Sequence, residues 1–379
     1  MSTLEGFEGF EGFEGFEGFE GFEGFEGSRA RSGSARALIV HRDGIVGPWD
    51  PEGALWKNNE LLQGVPGAMD RWDARIRQFL FESELLWSLY FTLDPTPSDS
   101  GASRSATLWH FTDTSANPGQ TPPTGNWKPL VTMVRPQDTV LQQQLDLVNG
   151  FADLRGDRVG EIQAQVAPQY AFWTSVVPLY KERHRYTLEL INIVLRLAKY
   201  AEMSFKHALV VRRPHEYSPQ VQPMIATPNH GSMPSGHSTE AHTVACVLFE
   251  LAKQSGTGGP APALIQLRQQ LMAQAARIAI NRTVAGVHYP SDSMAGQRLG
   301  LTLGDYFIQR CMGPTASVDT WLFNGEKYPG TQNFSGGEIY DASTGTSNSP
   351  PYATKSGSIA VTQSARLNWL WTQALGEWQ

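Results

Sequence analysis

Apolar side chains recur at the spacing of an α-helix in the stretch that follows His237. They occupy positions i, i+3, i+4, i+7, i+8 and i+11, which lie on one face of a helix. The residues concerned are Ala241, Val244, Ala245, Leu248, Phe249 and Ala252. Because such a face has to pack against other elements, the chain is predicted to contain a core built from helices.

Helical patterns cover much of the rest of the chain. They lie at residues 75–93, 138–166, 170–210 with a break near Pro178, 261–285, 290–312 and 365–378. Residues 37–67 predict an irregular lead-in, and residues 94–130 and 313–362 are rich in the Gly, Ser, Thr and Pro typical of long loops. Strand patterns are scarce. The predicted fold class is therefore all-α, a helical bundle with long decorating loops.

The N-terminal segment repeats the triplet Glu-Gly-Phe seven times between Glu5 and Phe25. A period of three matches neither a helix nor a strand, so residues 1–36 are predicted to be a disordered, low-complexity tail. Residues 37–379 are expected to form a single helical domain. Within it, residues 37–170 would be an N-terminal extension of a core at residues 171–312.

The formal net charge of −7 comes from this repeat. Eight of the 37 acidic residues lie at residues 5–28, which hold the repeat and the Glu-Gly-Ser that ends it, and the remaining 29 nearly balance the 30 basic residues of the chain. Neither a nucleic-acid nor a membrane partner is expected of so neutral a chain, while a homo-oligomer stays open. The chain has no run of about 18 apolar residues and no secretory leader, so a soluble, cytoplasmic protein is expected. Secretion also stays open, because the repeat could stand in place of a native leader.

Two short segments carry groups that suit an anion. In KHALVVRRP, Lys206 precedes Arg213 by seven positions, or two helical turns, so both cations are predicted to point the same way from one helix. In MPSGHSTEAH, Ser235, Gly236 and His237 stand at the start of a helix. The free N–H groups and the positive dipole end of a helix N-terminus favour an anion there.

A third segment, NRTVAGVHYPSD, contains Arg282, His288 and Asp292. Taken singly, each of the three segments also fits a structural role, such as a solvated charge, a helix cap or an acid in a first helical turn. Together they supply one lysine, two arginines, a hydroxyl, a glycine amide and two histidines. That set of donors matches a tetrahedral or trigonal oxyanion.

The order K-x6-RP, PSGH and R-x5-H-x3-D resembles the tripartite signature of one superfamily. This superfamily unites type 2 phosphatidic acid phosphatases, bacterial acid phosphatases and vanadium-dependent haloperoxidases. The resemblance spans Lys206 to Asp292, and Asn281 stands where the family usually has a serine.

The resemblance implies a role for each residue of the signature. Equatorial oxygens of the anion would be bound by Lys206, Arg213, Ser235, Gly236 and Arg282. His288 would be the nucleophile on phosphorus or the sole protein ligand of vanadium, and His237 would be the acid and base at the opposite apex. Asp292 would orient His288 and hold its tautomer.

Two features favour the soluble haloperoxidase branch of the superfamily. Residues 37–205 resemble the additions that the larger soluble haloperoxidases carry before the signature. His230 lies five positions before Ser235, where bromoperoxidases of the family have a histidine beside the halide site. Met203 departs from that branch, because it stands three positions before Lys206, where well-known haloperoxidases have tryptophan.

The predicted function is therefore a vanadate-dependent haloperoxidase that oxidises bromide or iodide with hydrogen peroxide. Vanadate would be its cofactor, with His288 as the metal ligand and His230 at the halide site, and an organic acceptor would be a further partner. The alternative is a soluble phosphomonoesterase that works through a phosphohistidine, with phosphate in the same site. A non-catalytic oxyanion-binding protein is the third hypothesis.

Overall fold

The computed structural model describes residues 32–46, 48, 68–93, 104–113, 125–166, 169–312 and 315–379. Two compact units are present, Met1–Asp73 and Ala74–Gln379. Most of the predicted tail at residues 1–36 lies outside the described residues, as do parts of the lead-in and of the predicted loops. In the first unit, helix α1 (Ser32–Ile45) covers the start of the lead-in, so the prediction of irregular backbone is wrong there. The predicted domain division stays a prediction.

The second unit combines ten described helices with seven described strands. The helices are α2 (Ala74–Leu86), α3 (Asp138–Gly150), α4 (Arg155–Ala164), α5 (Tyr170–Thr174), α6 (Arg185–Leu209), α7 (Pro214–Tyr217), α8 (Gly236–Gln254), α9 (Ala261–Val284), α10 (Pro290–Cys311) and α11 (Ala365–Gly376). The strands are β1 (Leu89–Leu93), β2 (Ser105–Asp113), β3 (Gly125–Val134), β4 (Thr315–Asn324), β5 (Tyr340–Asp341), β6 (Thr346–Ser347) and β7 (Ala353–Thr362). The helices predicted at residues 261–285 and 290–312 are confirmed to within one residue.

The predicted all-α class is wrong. Five strands form one mixed sheet in the order β1-β2-β3-β4-β7, and β5 pairs with β6 in a separate two-stranded sheet. In the larger sheet all neighbours are antiparallel except β3 and β4, which run parallel. The sheet occupies both segments that were predicted to be loops. It also takes the end of the helix predicted at residues 75–93, since α2 stops at Leu86 and β1 follows.

The signal for these strands is present in the sequence but broken. In β4 the buried residues Val318 and Thr320 alternate with more exposed ones, and the register shifts by one residue before Trp321. A bulge of this kind interrupts a period of two, which hides the strand from a pattern search. The β3–β4 pair moreover joins residues 131–134 to residues 321–324, and no local pattern reports such a pairing.

Close contact between α8 and α10 depends on small residues of α10. A Cβ atom at Gly296 would lie 2.6 Å from the backbone oxygen of Ser235, and one at Gly300 would lie 2.4 Å from that of Thr239. Only glycine allows two backbones to approach so closely. The approach brings the start of α8 against the first turn of α10, where Ser235 N–H donates to Asp292 O at 2.9 Å.

A buried ion pair links α2 to α6. Arg77 donates from Nε and Nη2 to the two oxygens of Glu189, at 2.9 and 2.6 Å, and both residues are buried. The guanidinium also lies over the Tyr186 ring, 5.5 Å from its centroid. Such a pair holds its helices in register, because a buried charge without its partner is strongly unfavourable.

We expect Glu189→Ala to lower the free energy of unfolding by about 3 to 5 kcal/mol, since Arg77 would then stay buried without its carboxylate. Urea titration followed by circular dichroism measures this. The control is Lys355→Ala, which removes the exposed pair with Asp319 and should cost less than about 1 kcal/mol. Equal losses in the two variants would contradict the importance of the buried pair.

Among the residues that the structure describes, no helix combines the length and the apolar character that crossing a bilayer requires.

Candidate active site

The three signature segments meet at the ends of five helices. Lys206 lies in the last turn of α6, Arg213 just before α7, Ser235, Gly236 and His237 at the start of α8, Arg282 in the last turn of α9, His288 between α9 and α10, and Asp292 in the first turn of α10. His288 is close enough to interact electrostatically with Arg213, Lys206, His237 and His230. The fold therefore assembles one polar site from segments that are separated in sequence.

Lys206 and Arg213 do not share a helix, so that prediction is wrong. Helix α6 ends at Leu209, and Val210 has left-handed backbone angles of φ 49° and ψ 47°. This residue reverses the chain, as left-handed residues commonly do at helix ends. Arg213 then returns toward the site from an extended segment, and the two cations reach it from different directions.

His288 is held at one ring nitrogen by a buried carboxylate. Its Nδ1 lies 3.1 Å from Asp292 Oδ2 and 3.2 Å from Ser232 Oγ. Asp292 Oδ2 also accepts hydrogen bonds from Ser232 Oγ and, at 3.0 Å, from the Tyr289 N–H. Because an ionised carboxylate only accepts, Nδ1 carries the hydrogen and Nε2 keeps its lone pair.

The surroundings keep the His288 imidazole neutral. Burial lowers its pKa well below the ordinary value, and the positive charges of Arg213 and Lys206 act in the same direction. Burial raises the pKa of Asp292, an effect that the bonds from Ser232 and Tyr289 oppose. A neutral imidazole with a free Nε2 lone pair is the form that can attack an electrophile.

His237 approaches the site from the start of α8. Its Nε2 lies 2.9 Å from the backbone oxygen of Gln165, which follows the last residue of α4. Burial and the nearby Arg282 lower the pKa of His237 to about 3, whereas Glu240 acts to raise it. A backbone oxygen only accepts, so Nε2 carries a hydrogen, and Nδ1 of the neutral ring keeps the lone pair that can take up a second proton.

Several buried donors of the site have no partner among the described residues. Arg282 uses Nη2 to bind Ile162 O at 3.2 Å and Gln165 Oε1 at 3.0 Å, while its Nε and Nη1 remain unpaired. The hydroxyl of Ser235 is also buried and unpaired within this part of the chain. Leaving buried donors unsatisfied costs free energy, so their presence together indicates a place for an oxyanion.

Lys206 adds a positive charge whose state depends on pH. Its Nζ donates to Ser232 O at 3.1 Å, and its side chain is buried. Burial and the neighbouring Arg213 lower the pKa of Lys206 to about 7, against the opposite effects of Glu202 and Asp292. The amine is therefore close to half-protonated at neutral pH until an anion binds beside it.

Arg213 is fixed by the loop that it helps to shape. Its Nη1 donates to Val287 O at 2.8 Å and its Nε donates to His230 O at 3.1 Å. The His230 ring lies beside it, with Nδ1 3.3 Å from Arg213 Nη2, and burial together with Lys206 lowers the pKa of His230 to about 4. The halide role of His230 stays a prediction.

Two neighbouring residues of the motifs lie outside this centre. Arg212 is exposed and lies over the Tyr217 ring, 5.8 Å from its centroid. Asn281 is buried and donates from Nδ2 to Glu161 Oε1 at 2.8 Å and to Gln165 Oε1 at 2.9 Å. Asn281 thus packs α9 against α4, where it supports the segment that carries the Gln165 oxygens.

Sequence reasoning missed three residues of the site, namely Ser232, Gln165 and Glu202. Glu202 precedes Lys206 by four positions on α6, and both of its oxygens would lie 2.8 Å from a Cβ atom at Gly236. Its place one helical turn before a motif lysine was the only signal available. Nothing in the sequence relates Gln165 to Arg282, because their contact depends on how α4 packs against α9.

Residues 188–310 match the family model of the PAP2 superfamily, a range that includes all three motifs. These residues form a PAP2 superfamily domain. The PAP2 domain begins inside α6 and ends within α10, so it contains every residue to which the motifs assign a role.

Curated relatives of the PAP2 domain are phosphatases. The chain is 36% identical over 87 residues to decaprenylphosphoryl-5-phosphoribose phosphatase of Mycolicibacterium smegmatis, which covers 23% of this chain and 41% of that protein. The phosphatase of the same name from Mycobacterium tuberculosis is 35% identical over 95 residues, which cover 25% of this chain and 46% of the relative. The chain thus spans less than half the length of these relatives.

A solved structure of the same superfamily is also similar to this chain. It is a transmembrane PAP2 type phosphatidylglycerolphosphate phosphatase from Bacillus subtilis. The two chains are 18% identical and have a TM-score of 0.36, and the match covers 45% of this chain and 85% of that chain.

The prediction of a vanadium-dependent haloperoxidase is wrong. The named relatives of the PAP2 domain are phosphatases. The prediction failed because both chemistries use one oxyanion site, so the motif residues cannot separate them, and the choice depended on chain length and His230 alone. The assignments as an oxidoreductase and as a peroxidase are wrong for the same reason.

Proposed function

We propose that this protein is a phosphatase that hydrolyses phosphomonoesters through a phosphohistidine at His288. The observation that carries the proposal is the state of His288, whose Nδ1 is held by Asp292 and whose neutral, buried ring interacts with the charges of Arg213 and Lys206. The similarity to PAP2 phosphatases supports the same conclusion.

In the first step, the Nε2 lone pair of His288 attacks phosphorus and the bond from phosphorus to the ester oxygen breaks. The leaving oxygen takes a proton from the imidazolium form of His237, so the alcohol departs neutral and the His237 ring becomes neutral. Asp292 balances the positive charge that develops on the His288 ring, and the hydrogen bond to Nδ1 keeps the ring in place.

In the second step, water attacks the phosphohistidine and the bond from phosphorus to nitrogen breaks. His237 takes a proton from that water, which restores both histidines and releases inorganic phosphate. Throughout the cycle, the charge on the phosphoryl oxygens would be stabilised by Lys206, Arg213, Ser235, the Gly236 N–H and Arg282, which are placed before the reaction begins.

Vanadate fits the same donors, because it imitates the five-coordinate state of phosphoryl transfer. In this proposal it is an inhibitor that competes with the substrate. The residues that would hold it are the ones that bind phosphate.

The test is an assay with p-nitrophenyl phosphate and with alkyl phosphates, since the curated relatives are named for a decaprenylphosphoryl substrate. We expect hydrolysis of both classes, competitive inhibition by orthovanadate and a ³²P-labelled protein intermediate that acid destroys and base preserves. Phosphate binding without hydrolysis would overturn the proposal in favour of a non-catalytic oxyanion-binding protein.

The pKa of Lys206 predicts how the activity depends on pH. Its pKa of about 7 in the free protein means that the charge is present below that pH and lost above it. We therefore expect kcat/KM to fall by up to about tenfold per pH unit above neutrality, because the deprotonated amine no longer attracts the anion. Lys206→Arg should remove this fall, since arginine stays charged throughout the range. Profiles of the two proteins that decline in parallel would show that another group is responsible.

A further inference from the structure

A cluster of three charged residues lies between α6 and α8, beside the proposed active site. Lys199 Nζ binds Glu202 Oε1 at 2.7 Å on its own helix and Glu240 Oε1 at 3.0 Å across to α8. We call these three residues the Lys199 cluster. None of them is a residue to which the patterns K-x6-RP, PSGH and R-x5-H-x3-D assign a role.

The Lys199 cluster places two carboxylates around one cation. Lys199 is about half exposed, at 48%, whereas the side chains of Glu202 and Glu240 are 1% and 19% exposed. Water therefore screens the cation more than the carboxylates. Glu202 Oε2 is buried and unpaired within the described part of the chain and lies on the inner side of the cluster. Burial raises the pKa of this carboxyl, and the charge of Lys199 opposes the rise.

That inner side faces the start of α8. The two Glu202 oxygens contact the Gly236 backbone, since each would lie 2.8 Å from a Cβ atom there. Glu240 follows His237 by three positions on α8, which places both side chains on one face of the helix, and their charges interact. Glu240 is thus a source of negative charge that acts on the His237 ring.

His237 needs such a source to act as an acid. Burial lowers the pKa of His237 most, and the positive charges of Arg282 and of the more exposed Lys199 lower it further. His288 also interacts electrostatically with His237. Without a compensating anion, His237 would reach the leaving group without a proton to give.

We propose that Glu240, held by Lys199 and backed by Glu202, is a positioning residue that provides the negative charge with which His237 receives and delivers the leaving-group proton. This inference rests on the proposed phosphatase function. The proton moves from His237 to the ester oxygen as that oxygen leaves phosphorus, and the attacking water returns it in the second step.

The test compares two substrates that differ in their need for an acid. An alkyl alkoxide cannot leave without a proton, whereas p-nitrophenolate is a stable anion and leaves without one. We expect Glu240→Gln to reduce kcat on an alkyl phosphate by about tenfold or more, with a change of less than about threefold on p-nitrophenyl phosphate. KM should stay constant for both substrates, because Glu240 does not contact the phosphate.

The matched control is Glu250→Gln. Glu250 lies on the same helix and pairs with Lys253 at 3.1 Å, away from the motifs. This variant should resemble the unsubstituted protein on both substrates. A Glu240→Gln defect that is equal on the two substrates would identify a structural ion pair and overturn the proposal.

A double substitution examines whether Glu240 acts through His237. In a His237→Ala background, Glu240→Gln should cause no further loss on the alkyl phosphate, since the group it serves is gone. Additive losses would contradict the proposal.

One readout does not depend on activity. The His237 ring can be titrated by NMR with inorganic phosphate in the buffer, and Glu240→Gln should shift its protonation to lower pH. An unchanged His237 titration in Glu240→Gln would overturn the role of Glu240, independently of the measured activities. If instead the titration shifts and the unsubstituted protein hydrolyses neither substrate, the proposed phosphatase function fails while the electrostatic link between the two residues stands.

Discussion

His288→Ala is expected to lower kcat for phosphate-ester hydrolysis by at least about a thousandfold, because it removes the atom that forms the covalent intermediate. The ³²P-labelled intermediate should disappear with it. The fold should survive, since Asp292 keeps its bonds from Ser232 and from the Tyr289 N–H. Thermal unfolding of the variant and steady-state kinetics on p-nitrophenyl phosphate measure the two effects separately.

A matched control distinguishes the loss of the nucleophile from the loss of a histidine elsewhere in the protein. His184 precedes α6 and binds the Tyr180 N–H through Nδ1 at 3.0 Å, at a distance from the motifs. His184→Ala should retain activity to within about twofold, as is usual for substitutions outside special sites. If the His288→Ala protein still formed a labelled intermediate, another residue would be the nucleophile and the mechanism would be contradicted.

Arg282→Lys is expected to reduce kcat/KM by about 100-fold or more, even though the charge is kept. Arg282 donates from Nη2 to Ile162 O and Gln165 Oε1. Its buried Nε and Nη1 remain as donors for the anion. A lysine offers one point charge and cannot present two fixed donors from a planar group. Burial lowers the pKa of Arg282 to about 10, so the guanidinium is charged at neutral pH.

Arg277→Lys provides the comparison on the same helix. Arg277 lies five positions earlier on α9, is 46% exposed and pairs with Glu161 at 2.8 Å. Its replacement should change kcat/KM by less than about threefold, since an exposed pair contributes little. Calorimetric titration with inorganic phosphate should show weakened binding only for Arg282→Lys. Similar losses in both variants would assign the effect to the packing of α9 against α4.

The helices could be predicted from the sequence because their signals are local. The apolar face that runs from Ala241 to Ala252 and the proline at the start of α10 each act within a few turns of chain. The sheet could not be predicted in this way. The pair of β3 and β4 joins residues 131–134 to residues 321–324, and the register between β4 and β7 shifts by one residue at Trp321, which interrupts the regular alternation of the two strands.

The residues of the site likewise fall into those that local motifs identify and those that only tertiary contacts bring in. The motifs identify the histidines, the cations and Asp292, since each motif is a short run of residues at a helix end. The partners that define their states come from elsewhere. Ser232 bonds to Asp292, Gln165 bonds to Arg282 and His237, and Glu202 of the Lys199 cluster contacts Gly236. Each of these contacts joins segments that are far apart in the sequence.

By itself, the sequence determined which residue types could bind an oxyanion and at which helix ends they would stand, because spacing along a helix is set by backbone geometry alone. The tertiary structure alone decided that α6 ends before Arg213, that a mixed sheet replaces the predicted loops and that His288 is neutral. These properties depend on burial and on the charges of distant segments. Only the packed chain brings those segments within a few ångströms of each other.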